Sequence, residues 1–146
     1  MFQIQQKGLN MKKIRVLIVE PNKAPYVKEI ENTLEAKQKI VGGWIEQLRL
    51  PKDDAVIILN EEGKINNLPY NRALHDSDGK PIDIICGTFL ICLAPPDSAE
   101  YDSLPDDLIA KYKKRFSINE VISVSEDNGN IFVVHQPLND VELIYG

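Results

Sequence analysis

Residues Ile82–Leu93 read IDIICGTFLICL, a run that is apolar on both faces of an extended chain. Its longest uncharged part, Ile84 to Leu93, is interrupted by Gly87 and Thr88 and falls far short of the roughly 20 residues that a membrane-spanning helix needs. A strand with two apolar faces has to be covered on both sides. The run therefore predicts a central strand, entered at Asp83, in a sheet that carries other elements above and below it. One face would hold Ile85, Gly87, Phe89, Ile91 and Leu93, and the other Ile84, Cys86, Thr88, Leu90 and Cys92. Gly87 marks a bulge or a close approach of another backbone or a ligand.

The other elements are read from their periods and breakers. Ile14–Glu20 (IRVLIVE) is a β-branched strand ended by Pro21. Pro25 suits the first turn of a helix, and Tyr26–Val41 carries the matching stripe of Val27, Ile30, Leu34 and Val41, with Lys28, Glu31, Glu35 and Lys39 opposite. Gly42-Gly43 ends it. Trp44–Leu50 and Ala55–Asn60 read as strands joined by a turn, and Glu62-Gly63 and Asp76–Lys80 as further turns. Between them Asn66–Leu74 reads as polar and irregular, with one helical turn around Asn71–Leu74. Ala94–Asp102 is a loop. Ser103 with Asp106 three residues later reads as a capping box for a helix through Leu108, Ile109, Tyr112 and Phe116. Asn128-Gly129 between Val121–Val124 and Ile131–Val134 is a hairpin signal, and Val141–Tyr145 reads as a last strand. The order β-α-β-β-β-α-β-β predicts an α+β fold: a mixed, mainly antiparallel sheet with two helices, and not a doubly wound dinucleotide fold.

With 146 residues, 43% hydrophobic and 27% charged, the chain predicts one globular domain, residues 11–146, behind an extension of residues 1–10. Met1–Asn10 is polar and lacks the apolar core of a signal peptide, which predicts a cytoplasmic protein. Net charge is −5, and the basic clusters Lys12, Lys13, Arg15 and Lys111, Lys113, Lys114, Arg115 flank a strand and close a helix. That distribution argues against a nucleic-acid polymer as partner. Cys86 and Cys92, in one strand, would sit about 20 Å apart, beyond disulfide reach, as in a reducing compartment. No Cys/His pattern predicts a metal site, and no motif predicts a cofactor.

No nucleophile motif, phosphate loop or HExxH is present, and His75 and His135 lie in no recognisable catalytic setting. Two carboxylates occupy odd positions, Glu20 at a strand end and Asp83 within the apolar run, and such a pair could do acid–base work. Polar groups cluster in Glu20–Tyr26, Asn60–Lys64 and Leu68–Arg72. These segments nominate Asn22, Lys23, Tyr26, Asn60, Lys64, Asn71 and Arg72 as ligand-binding residues. Lys23 and Arg72 would hold phosphates, the asparagines would read polar edges, Tyr26 would stack, and Lys64 would flank the base. Each residue also has a sufficient local explanation as a cap, a turn or a surface ion pair.

The same segments carry a resemblance. VLIVEPNKAPYVKEIENTLEAKQKIVGG, then ILNEEGKINNLPYNRAL and DIICGTFLI, resemble the DUF3846 family, a domain of unknown function. The likeness runs from about Ile14 to Phe116. It implies a setting in Gram-positive bacteria, their phages and mobile elements, and supplies no catalytic residues. Small phage proteins of that kind act by sequestering a signalling nucleotide or by blocking a host protein. The resulting expectation is a non-enzymatic binding protein that sequesters a small anionic, nucleotide-like signal to counter host defence. A protein–protein inhibitor of a host effector and a small carboxylate-dependent hydrolase are the alternatives. The apolar C-terminal strand predicts a homo-oligomer.

Overall fold

The computed structural model describes residues 12–50, 52–117 and 119–136. The extension 1–10 and the strand expected at Val141–Tyr145, on which the oligomer expectation rests together with the C-terminal hairpin, lie outside them. Nine strands and two helices are described. They are β1 (Lys13–Val19), β2 (Tyr26–Glu31), α1 (Leu34–Val41), β3 (Ile45–Leu50), β4 (Ala55–Asn60), β5 (Tyr70–His75), β6 (Pro81–Cys86), β7 (Phe89–Leu93), α2 (Asp106–Arg115), β8 (Asn119–Val124) and β9 (Ile131–Gln136).

A five-stranded antiparallel sheet, ordered β2-β1-β7-β4-β3, forms the frame, and β5-β6 and β8-β9 are separate hairpins. Leu17, Val19, Ile57, Phe89 and Ile91 point to one face and pack with Ile85, Leu104, Tyr112 and Phe116, so α2 and the β5-β6 hairpin cover that side. Ile14, Val16, Ile18, Val56, Ile58, Leu90 and Cys92 point to the other, where Val41 and Ile40 of α1 lie. The expected α+β class with two helices and mainly antiparallel pairing is what forms. Among the described residues no helix is long and apolar enough to cross a membrane.

Four local expectations are corrected. Tyr26–Glu31 is not the first half of a helix but a strand, paired with β1 from Ile18↔Tyr26 to Lys13↔Glu31. Asn22 turns the chain in a left-handed conformation (φ 61°), so the segment runs back along the open edge of β1. The helix starts only at Thr33, whose hydroxyl accepts from the Ala36 N–H at 3.1 Å. It ends as expected, at Gly42 with φ 83°.

The apolar run is two strands in two sheets. Only β7 is central. β6 pairs with β5, which takes the place of the helical turn expected at Asn71–Leu74. The break is at Gly87, where φ is 86° and the N–H donates to Pro69 O at 2.7 Å. Pro69 O is the backbone that approaches there, a Cβ would also stand 2.7 Å from the Leu68 side chain, and the expected single strand does not form. Cys86 and Cys92 thus belong to different strands, both buried and free. The capping box does not form either: Ser103 Oγ accepts from the Arg15 N–H at 2.9 Å, and Pro105 occupies the cap position of α2.

Candidate functional site

The nominated residues divide into struts and surface groups. Arg72 is a strut. It is wholly buried, and its five N–H donors are directed at protein acceptors. Nε reaches Phe116 O at 3.3 Å. Nη1 reaches Asn71 O at 3.2 Å and Asn71 Oδ1 at 2.8 Å. Nη2 reaches Lys23 O and Phe116 O, both at 2.9 Å. Burial lowers its pKa and the Glu120 carboxylate opposes the shift. The fork expected to hold phosphate therefore has no donor left to offer. Asn71, also buried, donates to Val19 O and Gly87 O, each at 2.9 Å, and so fixes β5 to the end of β1 and to the corner before β7. Asn60 donates to Val41 O at 3.1 Å and accepts from the Glu62 N–H at 2.7 Å, joining α1 to the turn after β4.

Two of the surface groups, Tyr26 and Lys64, face separate clefts. Tyr26, near its turn, lines a groove of about 600 Å³ between β2 and α1. The strand's alternation puts Tyr26, Lys28 and Ile30 on the α1 side, opposite Ile18, Val16 and Ile14 of β1. Ile18, Ile30, Ala36 and Ile40 supply apolar lining, while Lys28 from β2 and Lys39 from the last turn of α1 supply ammonium groups. Neither lysine has an ion-pair partner among the described residues. Lys13, Glu20, Glu29, Glu31 and Thr88 complete the lining.

Glu20 is already occupied. It accepts from the Tyr26 hydroxyl and pairs with Lys23 Nζ at 3.4 Å. The Tyr26 hydrogen bond, then Lys23, hold its carboxyl below the usual range, with burial opposing. Donating to Glu20 and partial burial push the Tyr26 hydroxyl up to about 12. Lys23 is thus spent on Glu20 through its ammonium and on Arg72 through its carbonyl. Asn22 is an exposed turn residue.

The second cleft, about 570 Å³, lies between the turn before β5, strand β6 and the tip of the β8-β9 hairpin. It brings together Lys64 and Tyr70, from two of the polar segments, with Asn67, Leu68, Asp83, Ile84, Val124 and Ile131. Lys64 and Asp83 form an ion pair. Glu20 and Asp83 therefore line different clefts with different partners, and the carboxylate pair of the hydrolase reading does not assemble. Among the described residues no group of three or more His, Cys, Asp or Glu is placed to hold a metal.

Sequence reasoning missed Lys28 and Lys39 because it set them on the solvent face of one long helix. Reading Tyr26–Glu31 with a period of two would have put Lys28 beside Tyr26.

A family model described as Domain of unknown function (DUF3846) matches residues 13–117. No curated protein matches the chain, and neither does any solved structure.

Proposed function

The chain belongs to the DUF3846 family, and from that premise we propose that it is a non-enzymatic binding protein that sequesters a small anionic, nucleotide-like molecule in the groove between β2 and α1. One observation carries the reading: two ammonium groups without ion-pair partners, Lys28 and Lys39, come from different elements to line one groove with an apolar floor and an aromatic ring at its end. Neither ammonium has a contact ion pair to break, and Glu20, the carboxylate that feels Lys28, is already held by Tyr26 and Lys23. Tyr26 offers a stacking face, and its hydroxyl, held by Glu20, fixes the ring in place. In the phage and mobile-element setting that the family resemblance implies, such a protein acts by removing a defence signal from the cytoplasm of the bacterial host.

The test is a melting-temperature screen with 5′-mononucleotides and cyclic dinucleotides, followed by calorimetric titration of any that stabilise the protein. Lys28→Ala and Lys39→Ala should each weaken binding about tenfold or more, at about 1.5–3 kcal/mol per charged contact. Lys113→Ala, on α2, should bind as the parent does. A panel that produces no shift, or a double Lys28/Lys39 variant that binds as tightly as the parent, would refute the proposal.

A second reading, docking on a host protein, is favoured by the outer face of the β8-β9 hairpin. There Val121, Phe132 and Val134 are 51%, 56% and 64% exposed and share one face through the pairs Val121↔Val134 and Ser123↔Phe132. A nucleotide-blind protein whose activity is lost on Phe132→Glu would select this reading.

A further inference from the structure

The cleft between the two hairpins differs from the groove in its charge. Lys64 and Asp83 form an ion pair there with side chains still 62% and 51% exposed, so both charges face the cleft as well as each other. Both are held in place. Asp83 Oδ1 also accepts from the Ile84 N–H at 2.8 Å. Lys64 springs from a turn that Asn60 fixes through the Glu62 N–H, and Gly63 lies so close to β6 that a Cβ would stand 2.7 Å from Cys86 O. Beside the pair, Leu68, Ile84, Val124 and Ile131 make an apolar wall.

Charge balance selects the ligand. An anion approaching Lys64 meets Asp83, and a cation approaching Asp83 meets Lys64, so either leaves one protein charge opposed. A molecule carrying one charge of each sign replaces a single protein ion pair with two and leaves nothing unmatched. A volume of about 570 Å³ falls within the usual range of small-ligand pockets.

We propose that this cleft is a second binding site, separate from the groove, for a zwitterion with an apolar side chain, in chemical class a free hydrophobic α-amino acid. Its carboxylate pairs with Lys64 Nζ, its ammonium with the Asp83 carboxylate, and its side chain lies against Leu68, Ile84 and Ile131. No bond is made or broken.

The experiment is titration of the full chain with L-phenylalanine, phenylacetate and phenethylamine, followed by calorimetry or by amide shifts. The two analogues keep the ring and lose one charge each. L-Phenylalanine should bind about tenfold or more tightly than either analogue. Lys64→Met and Asp83→Asn should each abolish that preference. The pair is half-exposed, so both variants should melt close to the parent. Ile131→Asn, which keeps the pair, adds no charge and spoils the wall, should weaken all three ligands together. Lys28→Ala should leave all three titrations unchanged, which separates this site from the nucleotide groove. Equal binding of the three compounds, or no binding of L-phenylalanine by the folded parent, overturns the proposal.

Discussion

Replacing Arg72 by Met tests whether this residue holds the fold or holds a ligand. Methionine preserves much of the length and packing of the side chain while removing all five donors. Four acceptors lose a partner: the carbonyls of Lys23, Asn71 and Phe116, and Asn71 Oδ1. Hydrogen bonds from a charged donor contribute about 1.5–3 kcal/mol each, but the simple sum overshoots. The released carbonyls relax, and a thioether is easier to bury than a guanidinium. The net cost should be about 3–5 kcal/mol, because four buried neutral acceptors lose their donor at about 1–3 kcal/mol each before they relax. For a chain of this length that lowers the melting temperature by roughly 10–20 °C.

Arg72→Lys should recover little. A single ammonium cannot span Lys23 O on one side and Phe116 O on the other as the planar fork does. Thermal melts and urea titrations of both variants measure the effect, with an unchanged m-value showing that stability and not compactness has moved. Binding of any groove ligand, measured well below the variants' melting points, should persist. An Arg72→Met protein that melts within about 3 °C of the parent yet loses its ligand would reverse the assignment and restore the phosphate role read from the sequence.

Two further outcomes follow from named contacts. Asp53 accepts from Lys111 Nζ at 2.6 Å and from the Tyr112 hydroxyl, which hold its carboxyl below the usual range. A pKa lowered in the folded state stabilises the protein above the unfolded value, and that contribution is lost as pH falls through the folded one. Asp53→Asn should therefore cost about 1 kcal/mol at neutral pH, and pH-dependent melts should show the gap to the parent closing in acid. Gly87→Ala should destabilise by about 2–4 kcal/mol, because it adds a left-handed Cβ and a clash 2.7 Å from Leu68 Cδ1; denaturant unfolding measures this.

How much of this was legible depends on whether the deciding contact is local. IRVLIVE and AVIILN read as strands from local composition, being short β-branched runs bounded by turn residues, and Lys13–Val19 and Ala55–Asn60 form them. The turn at Asn128-Gly129 carries its own geometry, as does the glycine pair after α1. Tyr26–Glu31 does not. Val27, Ile30 and Leu34 fit a helical stripe, while Tyr26, Lys28 and Ile30 fit one face of a strand, and six residues cannot separate the two periods. The choice was made by the open edge of β1, a tertiary demand that outweighs local preference. Ile82–Leu93 shows the same limit. Apolar character specifies burial, and burial in one sheet or in two looks identical until the left-handed φ of Gly87 breaks the run.

The candidate site was less legible for a further reason. Arg72 finds its acceptors 49 and 44 residues away, at Lys23 and Phe116. At such separations a buried arginine and a ligand-binding one have the same sequence signature. Yet the polar segments were not misplaced. Arg72 grips the carbonyl of Lys23, and the ammonium of Lys23 joins the Tyr26 hydroxyl on Glu20, so a continuous chain of contacts runs from the core beneath α2 to the rim of the groove. Asn71 extends that chain to the end of β1 and to the corner at Gly87. Of the residues that read as ligand contacts, Arg72, Asn71 and Lys23 belong to the framework beside Tyr26, Asn60 braces α1 instead, and Lys28 and Lys39 form no contact ion pair within the described residues. Polarity concentrated in loops marked where the scaffold is braced, and the bracing adjoins the groove because the turn that brings β2 back along β1 also forms the groove's edge.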